Sequence, residues 1–190
     1  MKVILFTVTF FGILGGHIVP PKSEMATQWL LKPVEFLPIS EKTIEIDLEQ
    51  LYCISEAIYY EARNQPLDGQ FAVGLVIKNR VNFPTWPDTI CQVVHEGHYW
   101  RGIPLQNQCQ FSYWCDGLPE DEQEDEEAWV TAEAIGYIIM TTNLTIPGLE
   151  RVTHFHHTSV KPDWTHKFHH CGTIGDHIFY CSPDNTQIKY

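Results

Sequence analysis

LYCISEAIYYEARNQPLDGQFAVGLVIKNR, residues 51–80, decides how the rest of the chain is read. At about 100° per residue, Leu51, Ile54, Ile58 and Ala62 fall on one side of a helix, with Tyr52, Glu56, Tyr60 and Arg63 on the other. Glu61 falls on the apolar side, near the end of the pattern, where water is scarce. Desolvation disfavours a charged carboxyl and raises its pKa, which is how a glutamate becomes a proton donor near neutral pH. The competing reading is a helix-end glutamate that reaches back to solvent or pairs with Arg63. NQPLDG, 64–69, reads as a turn in which Asp68 caps a second helix from Gln70 to Val81. That helix is apolar nearly all round and predicts burial on most sides.

Outward from this stretch, the chain of 190 residues suits one domain with appendages, and 44% hydrophobic residues suffice for a core. A formal net charge of -12 argues against a nucleic-acid partner, because phosphate binding needs clustered Lys and Arg. The 6 cysteines are dispersed without a C-x-x-C pair, as befits disulfides in an oxidising compartment. Cys109 with Cys115, around QFSYW, is the one pairing proposed from spacing; the other four stay open. Residues 3–19 are apolar behind Lys2 and read, within 1–20, as a signal peptide or signal anchor that could tether the chain to a membrane. Export to the periplasm or cell envelope follows. Residues 21–46 read as a proline-containing linker, 47–183 as the domain, and 184–190 as a tail.

From Asn82 to Pro119 no period is sustained, and the stretch reads as a functional loop region carrying Trp86, Tyr99, Trp100, Phe111, Tyr113 and Trp114. Such aromatics either stack on sugar rings or form a minor core. Pro119 reads as the first residue of a helix whose positive end the acidic run at 120–127 complements and whose buried part is Ala128 to Met140. Seven of the 10 histidines lie beyond residue 150. VTHFH alternates as a strand does, placing His154 and His156 on one face and Phe155 on the other. A zinc site built from His154, His156, His169, His170, Cys171 and His177 lacks any HExxH or C-x-x-C spacing, and HEGH at 95–98 does not place two ligands on one helical face. No metal and no cofactor is therefore assigned.

Four blocks together, AIYYEARNQPLDGQFAVGLVIKNRV, TICQVV, CQFSYWCDG, and THFHH with PDW and TIGDHIFY, resemble the cell wall hydrolase family of the spore cortex-lytic enzyme (SleB) type. The resemblance implies a lysozyme-like α+β fold, mainly helical with a small β element, acting on peptidoglycan glycan strands. It implies that Glu61, in the EAR motif, is the catalytic acid. This chain departs from the usual EARGE by carrying Asn64 and Gln65, for which a helix-end or turn role is expected.

Glycosidic cleavage ordinarily uses two carboxyl groups, and only Glu61 is well placed in this sequence. A lone acid suffices when the 6-hydroxyl of N-acetylmuramic acid attacks its own anomeric carbon, which gives a 1,6-anhydro product. Ser112, Tyr113, His154 and His156 are candidate hydrogen-bonding contacts to the glycan, with Phe111 and Trp164 as packing or stacking surfaces. Asp116 is the alternative second carboxylate, with a hydrolytic muramidase as its consequence; Glu56 lies about 140° from Glu61 on the wheel. The rival classes are a zinc-dependent amidase drawing on the histidines and a non-catalytic wall-binding module. A monomer is expected, either phage endolysin or bacterial wall-remodelling enzyme.

Overall fold

The computed structural model describes residues 45–118 and 125–182, all within one compact unit, Thr43–Tyr190. The expected signal segment, linker and C-terminal tail lie outside the described residues, apart from 45 and 46 of the linker. Its helices are α1 (Leu48–Ala62), α2 (Leu67–Asn82), a short α3 (Ile90–Val94) and α4 (Glu126–Thr141). Strands β1 (Gly97–Trp100) and β2 (Ile103–Cys109) form a hairpin, and β3 (Val152–His157), β4 (His169–Ile174) and β5 (His177–Cys181) form an antiparallel sheet in the order β3-β5-β4.

Asp47 starts α1 by accepting from the amides of Glu49 at 3.0 Å and Gln50 at 3.4 Å, which satisfies two donors that a helix start leaves free. The helix then runs between α2, α3 and α4. Because it is covered on three sides, Glu56 is only 4% exposed, against the polar side assigned to it by the wheel. Tyr113 Oη donates to Glu56 Oε2 at 3.3 Å, and Tyr113 in turn stacks on Tyr60, with ring centroids 4.9 Å apart. Tyr52 and Arg63 are exposed as expected.

Helix α2 starts three residues earlier than its apolar pattern, at Leu67, with Pro66 in the capping position. Asp68 therefore sits in the first turn, where a carboxylate complements the helix dipole, and accepts from the Gly69 amide at 3.0 Å instead of capping. The unbroken buried run Ala72 to Ile77 reflects α2's place between two cores. Ile77 packs with Leu51, Ile54 and Ile58 of α1 and Ile135 and Ile139 of α4, while Ala72, Val73 and Val76 pack with Val152 and Phe179 of the sheet. Lys78 on the same helix donates to the carbonyls of Ile139 and Thr142, closing the C-terminal end of α4 with a cation.

Residues 82–119 are more regular than the sequence suggests. The chain forms α3, capped by Thr89, then the hairpin. Trp100 pairs with Ile103 across a two-residue turn in which Arg101 and Gly102 have φ of 52° and 81°, the left-handed pair that matches strand twist in tight hairpins. Most hairpin side chains are exposed on both faces, so no alternation marked them. Pro119 lies outside the described residues, and α4 opens at Glu126, with extended Asp125 as N-cap accepting from the Ala128 amide at 3.0 Å. Acidic residues do fill its first turn, at Glu126 and Glu127.

All six cysteines are paired: Cys53 with Cys91, Cys109 with Cys115 as read from spacing, and Cys171 with Cys181. Cys53–Cys91 ties α1 to α3 across 38 residues. Replacing both by alanine is expected to lower unfolding free energy by about 3–4 kcal/mol in a denaturant titration, from the loop entropy returned to the unfolded chain. Gly136 marks where α4 meets α1: a Cβ there would lie 2.9 Å from Ile54 Cγ2 and 3.0 Å from Ser55 Oγ. Gly136→Ala is accordingly expected to cost about 1–3 kcal/mol despite alanine's better helix propensity, a sign that thermal unfolding reads directly.

Candidate active site

Helix α1 ends by delivering Glu61, partly exposed as a residue but with its carboxyl set deep among protein atoms. Burial pushes this carboxyl up from the ordinary value to about 7, opposed by hydrogen bonds from the backbone and side chain of Ser112 and by the charge of Arg80. Arg63 takes no part. Its guanidinium lies over the Tyr59 ring, 4.8 Å from the centroid. Ser112 opens a 3-10 turn, Ser112–Cys115, and the Cys109–Cys115 disulfide closes the short loop that carries it.

Arg80, near the end of α2, is only 4% exposed. Its Nε donates to the Thr153 carbonyl at 2.8 Å, and the preceding Asn79 donates to the Val152 carbonyl at 2.8 Å, so two successive side chains of α2 grip the start of β3. The guanidinium carbon lies 4.2 Å from the Trp86 centroid and 5.4 Å from that of Phe111. Burial brings its pKa down to about 10, opposed by Glu96 first and Glu61 second, so it stays charged at neutral pH.

Beyond Arg80, β3 presents His154 and His156 to Trp164, at centroid distances of 5.3 Å and 5.7 Å, while Phe155 packs on Phe179 from the opposite face. Burial, reinforced by Arg80, pushes His154 down to about 4, so its imidazole is neutral at pH 7. Its Nδ1 lies 3.0 Å from Thr153 Oγ1. His156 is oriented from both sides: Nδ1 lies 2.9 Å from the His157 carbonyl, which can only accept, so in the neutral ring Nε2 accepts from Tyr180 Oη at 3.1 Å.

Of the residues proposed from sequence, Glu61 and Ser112 are brought into contact, and His154, His156 and Trp164 gather together at β3; of these three, His154 shares with Glu61 the influence of Arg80. Phe111 is 1% exposed and belongs to the core, which selects packing over stacking for it. Tyr113, 6% exposed, spends its hydroxyl on Glu56. Asp116 accepts from the Leu118 amide at 2.7 Å as a turn residue, and it is absent from the charges acting on Glu61. Gln65, where the usual motif has a glutamate, takes the turn role expected of it: its Oε1 accepts from the Asp176 amide at 2.8 Å. Cys171 is committed to a disulfide, and among the described residues no three His, Cys, Asp or Glu side chains converge as metal ligands.

Arg80 and Glu96 were missed by sequence reasoning. A cation inside an otherwise apolar helix must find compensation, and that was the available signal for Arg80. Glu96, whose charge acts on Arg80, had no such signal, since that influence arises only in the fold.

A family model described as Cell Wall Hydrolase matches residues 64–180, starting just after the EAR segment. The spore cortex-lytic enzymes of Halalkalibacterium halodurans and Bacillus subtilis are 49% and 42% identical over 43 residues, 23% of this chain, but the matches cover only 13% and 14% of those proteins. In structure, the chain is similar to the catalytic domain of the Bacillus cereus SleB protein, with a TM-score of 0.52 at 24% identity over 74% of this chain and 94% of that one. It is similar too to the catalytic domain of the germination-specific lytic transglycosylase SleB of Bacillus anthracis, with a TM-score of 0.54 at 25% identity over 72% of this chain and 97% of that one. A helical core with small sheets, shared with the SleB catalytic domains, and a family match over more than half its length together place the chain in the cell wall hydrolase family, of the SleB type.

Proposed function

We propose that this protein cleaves peptidoglycan glycan strands as a lytic transglycosylase, with Glu61 as its single acid and base. The observation that carries this reading is a carboxyl that burial holds near pKa 7 while Ser112 hydrogen-bonds it in place. Such a group is readily protonated at neutral pH and readily ionised after giving up its proton, as one residue performing both steps requires. Glu61 protonates the glycosidic oxygen as the bond from C1 of N-acetylmuramic acid breaks. The 6-hydroxyl of the same sugar then forms the new bond to C1, and the Glu61 carboxylate takes the hydroxyl proton. No water is consumed and the acid is regenerated.

His154, His156 and Trp164 offer a polar and aromatic wall for the sugar rings, suited to a polymer that an acidic protein cannot attract by charge. The three disulfides support an exported protein working in an oxidising envelope compartment, with residues 3–19 as signal or tether. Phage-encoded lysis and bacterial wall remodelling both fit that setting.

Mass spectrometry of soluble products from peptidoglycan treated with the full chain tests the reaction. Anhydro-muropeptides are expected, reduced about 10²–10⁴-fold by Glu61→Gln and indifferent to chelator. Reducing-end sugars would mean hydrolysis, stem peptides abolished by chelator would mean a zinc amidase, and binding without product would mean a wall-binding module; each overturns the proposal. Because the protonated form starts the reaction, kcat/KM is expected to fall as pH rises through about 7, the Glu61 value. Ser112→Ala removes a hydrogen bond that favours the charged carboxylate, so this alkaline limb should move upward, by about half a pH unit.

A further inference from the structure

We propose that Trp114 is a positioning residue for the catalytic acid: clasped by His95 and Tyr99, its indole fixes the turn from which Ser112 reaches Glu61. The proposal rests on the reading of Glu61 as the acid. It gives a role to the first histidine of HEGH and to two aromatics of the loop region, none of which the proposed reaction uses.

Trp114 follows Ser112 within the same 3-10 turn, Ser112–Cys115. Its indole is held in two ways. The His95 ring lies flat on it, with centroids 3.6 Å apart and planes 18° from parallel. Its Nε1 donates to Tyr99 Oη at 3.0 Å, and Tyr99 Oη in turn donates to the His95 carbonyl. The contacts thus close a ring, from the His95 side chain to Trp114, to Tyr99 and back to the His95 backbone. Within the turn, the Trp114 amide donates to the Phe111 carbonyl at 3.3 Å, and the Cys109–Cys115 disulfide closes the loop on either side of Ser112.

The clasp is footed on the helix that carries the acid. His95 caps α3, its amide donating to the Cys91 carbonyl at 2.9 Å. Cys91 is bonded to Cys53 of α1, and its amide donates to Gln50 Oε1 of the same helix at 3.1 Å. A continuous route therefore runs from Glu61 along α1, across Cys53–Cys91 to α3, through His95 onto Trp114 and so to Ser112, whose two hydrogen bonds return to Glu61. The hairpin braces this frame: the Gln110 amide donates to the Glu96 carbonyl at 2.8 Å, and Gln106 Nε2 to the Asp116 carbonyl at 2.8 Å. Acid and donor are mounted on one closed frame, so their alignment does not have to be found anew at each turnover.

Phenylalanine at position 99 keeps the ring but has no hydroxyl, so Trp114 Nε1 and the His95 carbonyl lose the partner they share. Ser112 then spends less time on the carboxylate, the form its bonds favour, and Glu61 keeps its proton to higher pH. Titrating the Glu61 carboxyl of the full chain by carbon-detected NMR, without substrate, measures this directly. Tyr99→Phe and Trp114→Phe are each expected to raise the Glu61 midpoint by about half a pH unit and to speed exchange of the Ser112 amide on the order of tenfold, as loss of one hydrogen bond allows. Trp100→Ala, beside Tyr99 but outside the clasp, is expected to leave the midpoint where it was. An unchanged midpoint in folded Tyr99→Phe and Trp114→Phe proteins, or an equal rise in Trp100→Ala, overturns the proposal. In the unaltered protein, the Trp114 indole N–H and the Ser112 amide should lose their protection from exchange together as urea is added. A Ser112 amide that stays protected after the indole N–H has exchanged overturns the proposal even if neither variant folds. Because no substrate is present, failure of glycan cleavage would leave these measurements intact and separate the two readings. Where cleavage is observed, its alkaline limb should move upward with Tyr99→Phe, which a merely structural loss would not produce.

Discussion

A buried positive charge, Arg80, is the constraint on which the site around Glu61 depends. Arg80, on α2, donates to a strand carbonyl and lies against two aromatic rings, and the charges of Glu96 and Glu61 act on it from other parts of the chain. Leaving such a charge unsatisfied would cost several kcal/mol, a sizeable share of a domain's net stability. The residues around it come from the sheet, from the segment after α2 and from the residue that precedes the 3-10 turn of the disulfide-closed loop. Glu61 gains its chemical character from the same enclosure: few waters, two hydrogen bonds from Ser112 and a cation near enough to moderate its acidity.

The parts of this arrangement carried by local pattern were legible in the sequence. The apolar run from Phe71 to Ile77 announced a buried helix, VTHFH announced a strand with two histidines on one face, and the position of Glu61 on α1 announced a desolvated carboxyl. The spacing of Cys109 and Cys115 announced a closed loop. What local pattern missed depends on what packs where. Glu56 looks solvent-facing on a wheel drawn around one apolar stripe, but α1 is covered on three sides and Tyr113 supplies its hydrogen bond. The hairpin from Gly97 to Cys109 buries little on either face and so leaves no period.

The substitution of Gln65 for the glutamate usual in this motif becomes intelligible at the same level. A glutamine both accepts from and donates to a turn, and Gln65 does so, with Oε1 on the Asp176 amide at 2.8 Å and Nε2 3.4 Å from Asp176 Oδ2. A carboxylate could accept the first bond but would face the second as a like charge. The residue serves the join between the α1–α2 turn and the β4–β5 turn.

That join spans 111 residues. Bringing such distant points together costs about 4 kcal/mol of chain entropy in a simple loop-closure model. The central strand β5 is also the last element of the sheet, so β3 with its three histidines has no neighbour to pair with until nearly all of the domain has been made. Helices α1 and α2 can form and pack from local contacts well before then. The order of assembly is thus built into the topology: the helix that carries Glu61 forms early, and the sheet that carries the histidines closes last.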